Sequence, residues 1–190
     1  MITNKRYYET IKINPTIYTN RPEDNNRLQK EMAVYTLLDK LQIPYLRLDH
    51  EPTASIEVCH EVEMILKIQI CKNLFLCNSA KTDFYLFMIS GHKKLQTKDL
   101  SRQIHSSRLS FADATYMKKY LNITPGSVSV LGLMNDHHHY VKLLIDKEVL
   151  NLEYIGCHPC INTSSLKIKT SDLINKFLPA TGHLPTLVEI

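Results

Sequence analysis

No stretch of this chain approaches the roughly 20 consecutive apolar residues that a membrane-spanning helix needs, and the polar, tyrosine-dotted residues 1–20 hold no secretory apolar core. Cysteine is scarce: the five present are odd in number and irregularly spaced. That argues against a disulfide framework and for a reduced, cytoplasmic protein. Also missing are a Walker phosphate loop, a GxSxG nucleophile elbow and an HExxH zinc helix, which removes the commonest nucleotide and hydrolase signatures. There is no internal repeat and no low-complexity segment.

What is present suffices for one domain. The 190 residues are 44% hydrophobic, enough to bury one core, and the chain reads as an N-terminal extension over 1–25 followed by a single domain over 26–190. Net charge is +4, from 23 basic and 19 acidic side chains, which is compatible with a polyanionic partner without demanding one. The imbalance is local. Residues 91–120 carry Lys93, Lys94, Lys98, Arg102, Arg108, Lys118 and Lys119 against only Asp99 and Asp113, whereas residues 51–66 hold four glutamates and no Lys or Arg. A basic segment can be a plain solvated face. It is also where a polyanion would dock, with Lys93, Lys94, Lys118 and Lys119 as candidate contacts.

Leu28, Met32, Tyr35, Leu38 and Leu41 recur at helical spacing between Pro22 and Pro44. Residues 45–49 alternate like a half-exposed strand, and Ile56, Cys59, Val62 and Leu66 suggest a second helix. Strands over 74–77 and 83–90 are joined by a turn, and helices follow over 97–104 and 111–120. After the turn signal Pro125-Gly126, residues 128–133 and 140–146 read as a hairpin whose polar tip holds His137, His138 and His139. Strands near 152–155 and 165–168 precede a last helix over 172–177, capped by Thr170 or Ser171. Strands clustered in hairpins argue for an α+β fold, a mostly antiparallel mixed sheet with a barrel-like core and flanking helices.

Lys72 is a lone cation ahead of the apolar run Leu74-Phe75-Leu76, which reads as a buried strand. An ammonium there is costly unless something anionic meets it, either a structural carboxylate or an arriving ligand. Cys157-His158-Pro159-Cys160 is a CxxC without the second pair that a structural zinc site requires, so no metal is expected. His158 follows a strand, Gly156 and a tight turn; it reads as a satisfied structural histidine or as a site residue. Gly126 and Ser127 form a plain turn, or else offer backbone N–H groups to a ligand carbonyl.

Lys72-Asn73-Leu74-Phe75-Leu76, Arg108-Leu109-Ser110-Phe111-Ala112, Pro125-Gly126-Ser127-Val128, Asn135-Asp136, His158-Pro159 with Asn162-Thr163, and Gly182-His183 occur in one order. Taken together, residues 31–190 resemble the YbaK/EbsC-like aminoacyl-tRNA editing domains, and within them the free-standing deacylases of alanyl-tRNA(Pro). The resemblance implies a hydrolase without cofactor that cleaves the ester between alanine and the 3′ CCA end of proline tRNA. Its partners would be that tRNA and a prolyl-tRNA synthetase. By the same resemblance Lys72 is the essential lysine, an electrostatic clamp on the terminal adenosine's ribose and phosphate, and Asn73 orients that end. Gly126 and Ser127 surround the scissile carbonyl, while His158 and the loop to Asn162 wall the pocket and order the attacking water.

The chain departs from the family pattern in three places. The family loop reads GSVTP, whereas Gly126-Ser127-Val128-Ser129 here ends in Val130, a loss expected to loosen the loop that sets pocket size. Cys157 replaces a large apolar residue, and Gln96 a common aspartate. Two alternatives stay open: a deacylase for serine, threonine or cysteine, or a non-catalytic tRNA-sensing module. The second is motivated by Lys5, Arg6, Tyr7, Tyr8, Tyr18 and Arg21 in the extension.

Overall fold

The computed structural model describes residues 13–23, 26–52 and 56–190. Its elements run β1 Ile13–Tyr18, α1 Gln29–Lys40, β2 Tyr45–His50, α2 Ile56–Leu66, β3 Gln69–Asn78, β4 Phe84–Ser90, α3 Thr97–Gln103, β5 Leu109–Phe111 and α4 Ala114–Leu121. A 3-10 turn over Val130–Asn135 leads to β6 Val141–Asp146, a second 3-10 turn over Lys147–Asn151, β7 Tyr154–Cys157 and β8 Ser164–Lys169. The chain closes with α5 Thr170–Asp172, a π turn Leu173–Phe177, α6 Leu178–Thr181 and β9 Thr186–Val188. The strands make one mixed sheet in the order β1-β2-β8-β7-β3-β4-β6-β9, with β5 on β3. Five of its eight pairings are antiparallel, so the α+β, mostly antiparallel reading holds.

Strand β4, Phe-Tyr-Leu-Phe-Met-Ile-Ser, is buried at every position, as a central strand covered on both faces must be. Its alternate side chains enter two clusters. Phe84, Leu86 and Met88 join Phe75, Val34, Met117 and Phe177 under α1, α4 and the C-terminal helix. Tyr85, Phe87 and Ile89 pack with Leu76 and Leu100 under α3. A third cluster, Leu48, Val62 and Leu66, seats α2 over β2 and β3.

Several expectations are corrected. Residues 13–18 of the supposed arm form β1, an edge strand on β2; Lys5, Arg6, Tyr7 and Tyr8 lie outside the described residues. Strand β2 is not half-exposed, because β1 and β8 flank it and Arg47, 3% exposed, lies under the Tyr18 ring and pairs with Asp49. Residues 128–133 are not a hairpin strand. Ser129 Oγ accepts the Leu131 N–H (3.2 Å), starting a 3-10 turn that Asn135 ties to the Leu121 carbonyl (2.9 Å). Strand β6 consequently lies parallel to β4, reached by a crossover through α3, β5 and α4. Nor does Thr170 or Ser171 cap the last helix: Lys169 precedes it without a side-chain cap, and Thr170 Oγ1 is buried with no partner among the described residues. Among the described residues no helix is long and apolar enough to cross a membrane.

Asp136, 3% exposed, closes the fold beside β6. It accepts the N–H groups of Tyr140 (3.0 Å) and Val141 (2.7 Å) and faces His183 Nε2 at 3.4 Å. Asp136→Ala should therefore cost about 3 kcal/mol, because buried N–H groups lose an ionised acceptor. Urea unfolding checks this; a loss below about 1 kcal/mol would show the clamp to be dispensable.

Candidate active site

Strand β3 pairs with β7 only through Gln69 with Ile155 and Ile70 with Gly156, and with β5 only from Leu76 onward. Between these pairings the edge of β3 away from β4 has no strand beside it among the described residues. Lys72 and His158 each lie two residues beyond the last β3–β7 pair, on opposite lips of that gap. Strand alternation puts Lys72 on the face of Ile70 and Leu74, at the seam between the α2 and α3 clusters. Asn73 falls on the opposite face with Cys71 and Phe75.

Lys72 is exposed, so the expectation of a buried cation needing an anion is corrected. Its Nζ donates to the backbone carbonyl of Lys93 at 2.8 Å, and among the described residues no carboxylate lies within ion-pair distance of it. Gly91 permits that meeting: a Cβ there would stand 2.6 Å from the Ile70 carbonyl oxygen, so only glycine lets the turn after β4 pass this close to β3. Lys93 Nζ is itself held by Asp146 (3.1 and 3.0 Å) and Glu148 (2.9 Å). Hydrogen bonds that Lys93 donates to Glu148 and Asp146 hold its pKa above the ordinary lysine value, outweighing desolvation.

His158 is half-buried, and burial lowers its pKa against the opposing pull of the Ser164 carbonyl. Its Nδ1 lies 2.9 Å from Ser164 O; since a carbonyl only accepts, Nδ1 carries the proton and Nε2 keeps its lone pair. His50 obeys the same logic, with Nδ1 donating to Glu51 O at 2.9 Å and Nε2 accepting from Ser165 Oγ at 2.9 Å. Ser165 Oγ in turn offers its lone pair to His158 Nδ1 over a long 3.5 Å contact. Sequence reasoning missed His50 and Ser165; only the register of β2 with β8, which pairs Leu48 with Ser165, brings them together.

Gly126 takes a left-handed φ of +85°, and its Cβ position faces Asn162 Nδ2 at 3.5 Å, which joins the turn to the loop after His158. Ser127 is buried and its N–H already donates to Thr124 O at 3.1 Å, so of the two expected donors only Gly126 N–H lacks a protein acceptor among the described residues. Asn73 is also engaged. Its Nδ2 donates to Cys71 O (3.0 Å) and its Oδ1 accepts the Val130 N–H (2.9 Å), a bond that a family-type proline at 130 could not make. Asn73 thus meets the loop at Val130 and Gly126 the loop at Asn162, while Lys72 stands on the opposite face of β3 from Asn73.

The basic residues divide. Lys93 and the exposed Lys94 follow β4 beside Lys72, whereas Lys118 and Lys119 ride on α4 across the sheet. There Lys118 bonds Asn122 Oδ1 (2.6 Å) and Lys119 sits 5.0 Å above the Tyr120 ring. Cys157 and Cys160 are buried and free, and burial pushes the Cys160 thiol up to about 12. Clefts of about 410 Å³ beside His183 and about 760 Å³ beside Tyr45 and Lys169 lie away from the gap.

Because burial lowers the pKa of both His50 and His158, the unfolded chain binds more protons than the folded one between those depressed values and about 6.5. This contribution is complete above about pH 6.5 and is lost as pH falls through the folded-state values. Urea unfolding of the wild type should weaken over that window more than that of the His50→Gln/His158→Gln variant. Equal slopes would show that the imidazoles are not buried as neutral groups.

Residues 50–176 match the family model described as an aminoacyl-tRNA editing domain. The chain is 31% identical over 163 residues to the prolyl-tRNA editing protein ProX of Acetoanaerobium sticklandii, covering 86% of this chain and 99% of that one. It is 27% identical to prolyl-tRNA synthetase associated domain-containing protein 1 of Danio rerio, covering 85% and 86%. In fold it is similar to the crystal structure of a candidate trans-editing enzyme for prolyl tRNA synthetase, with a TM-score of 0.63 at 16% identity over 86% of this chain and 99% of that one.

Proposed function

The chain belongs to the aminoacyl-tRNA editing domain family, and from that premise we propose that it deacylates mischarged proline tRNA in trans, with alanine as the amino acid removed. A synthetase pocket sized for proline discriminates against a smaller side chain by only about 1–3 kcal/mol per missing methylene, so a second, hydrolytic site has work to do. The names of its relatives, a prolyl-tRNA editing protein and prolyl-tRNA synthetase associated proteins, support proline tRNA as substrate and the synthetase as partner.

The observation that carries the reading is Lys72, an exposed ammonium steered by a carbonyl and, among the described residues, without a carboxylate at the gap between β3 and β7. Its remaining N–H groups suit the phosphate and ribose oxygens of a 3′-terminal nucleotide. The aminoacyl ester then lies over the gap. Water attacks the carbonyl carbon, the ester C–O bond breaks, and the ribose oxygen leaves with a proton as the free amino acid forms. Gly126 N–H serves the developing oxyanion, and the His158 Nε2 lone pair orients the water and takes its proton. Asn162 borders the same pocket. Lys94, Lys118 and Lys119 are the proposed phosphate contacts farther along the tRNA.

Hydrolysis of Ala-tRNA(Pro) at micromolar enzyme tests this directly, and Lys72→Ala should abolish it while leaving the urea midpoint in place, since the side chain is exposed. Full activity in that variant would sink the mechanism. Removal of serine, threonine or cysteine instead is favoured by one observation, the Val130–Asn73 bond at the loop that sets pocket size. Val130→Pro frees Asn73 Oδ1 and should change the ratio of alanine to serine release, with stability moving by no more than about 1 kcal/mol. An unchanged ratio across a panel of small aminoacyl groups would remove Val130 from the specificity question.

A further inference from the structure

Four charged groups meet beside the candidate site: Lys72, Lys93, Asp146 and Glu148. Asp146 is 1% exposed and must be paired, because a buried carboxylate without a counter-ion is costly. Lys93 pairs with it through both carboxylate oxygens and takes Glu148 as well. Further donors, the N–H groups of Glu148 (2.9 Å) and Ile190 (3.4 Å), fix Asp146 in place. The turn from Ser90 to Lys93 is closed by the Lys93 N–H on Ser90 O (3.1 Å), and it presents the Lys93 carbonyl to Lys72 Nζ at 2.8 Å.

We propose that Lys93 is a positioning residue for Lys72: its ammonium sequesters Asp146 and Glu148 while its carbonyl aims the Lys72 ammonium, whose charge stays available to an anionic ligand. The proposal rests on Lys72 being the substrate anchor. A carbonyl orients an ammonium without cancelling its charge; a carboxylate would do both. Lys93 keeps the two acids occupied, which is a different task from contacting tRNA phosphate, the role its place in the basic segment suggested. Its side chain is 21% exposed and already has three carboxylate contacts, leaving a phosphate little to gain there.

The test compares wild type, Lys93→Met and the triple variant K93M/D146N/E148Q in hydrolysis of charged tRNA and in salt-dependent binding of uncharged tRNA. In Lys93→Met the released carboxylates capture Lys72, and kcat/KM should fall at least about tenfold, the worth of one charge-assisted hydrogen bond. The triple variant should regain most of that loss, and with Lys72 freed again its salt slope of binding should match the wild type. A direct phosphate contact by Lys93 instead predicts no regain and a slope that stays smaller by about one in the triple variant; either result overturns the proposal. If Lys93→Met does not fold, because Asp146 is left buried and unpaired, the triple variant decides alone. Near-wild-type hydrolysis supports the proposal, and a loss like that of Lys72→Ala overturns it. If the wild type hydrolyses no charged tRNA, the functional reading fails on its own. Amine-reactive labelling of Lys72 read by mass spectrometry then still tests the arrangement: reactivity should drop in Lys93→Met and return in the triple variant, and constant reactivity refutes it.

Discussion

Two parallel pairings, Gln69 with Ile155 and Ile70 with Gly156, hold β3 against β7, and the candidate site lies where that contact ends. Beyond it β3 stays on β4, while β7 turns away at Pro159 into the loop that carries Asn162. Backbone groups left without a strand neighbour must find other partners. Asn73 supplies them, bonding Cys71 O with one end of its amide and Val130 N with the other. A side chain of β3 thereby ties this part of the strand to the loop at Val130, and the Gly126 turn stands against Asn162 in the loop after His158. A longer β3–β7 ladder would close the cleft; a shorter one would release β7 and the histidine it delivers.

The polar groups around this opening are ordered by proton direction as much as by charge. Carbonyls at Ser164 and Glu51 fix the proton on Nδ1 of His158 and of His50, so both imidazoles keep Nε2 as an acceptor. Ser165 sits between them, donating its hydroxyl proton to His50 Nε2 while its oxygen lone pair faces the Nδ1 proton of His158. Burial lowers the pKa of both rings and so favours the neutral form that this arrangement needs. On the other lip, the acids pair with Lys93 and the exposed ammonium of Lys72 meets, among the described residues, a carbonyl alone. One side of the cleft offers a lone pair, the other a positive charge, as ester hydrolysis on a polyanionic substrate requires.

Local patterns were legible where a single period decides the structure. The helical spacing from Leu28 to Leu41 and the unbroken apolar run of β4 correspond to α1 and a central strand. Residues 128–133 misled because a short buried apolar run looks the same in a strand and in a tight turn; Ser129 and Asn135 decided between them through bonds invisible to periodicity. The parallel placement of β6 and β9 depends on crossovers, which hydropathy does not encode. At the site, Lys72, Gly126 and His158 stood out through family motifs. His50, Ser165 and Asp146 carry no motif and act only through neighbours distant in sequence. The engagement of Ser127 N–H and of Lys93 was equally hidden, since composition shows that a donor exists but not whether it is already used.

Val130 shows how a departure from a family motif can leave one property intact and alter another. A proline in a loop stabilises by restricting the unfolded chain, by roughly 0.4–1 kcal/mol. A backbone hydrogen bond contributes about 0.5–1.5 kcal/mol. The Val130 N–H to Asn73 bond thus replaces what the proline would have supplied, and the loop at 126–130 is anchored rather than loosened. The two solutions differ in what they leave for chemistry. With proline at this position the Asn73 oxygen would have no loop N–H to accept and could face a ligand; with valine it is occupied from within. The exchange accordingly changes which partner the Asn73 oxygen meets, while the stability of the fold that presents it is left nearly unchanged.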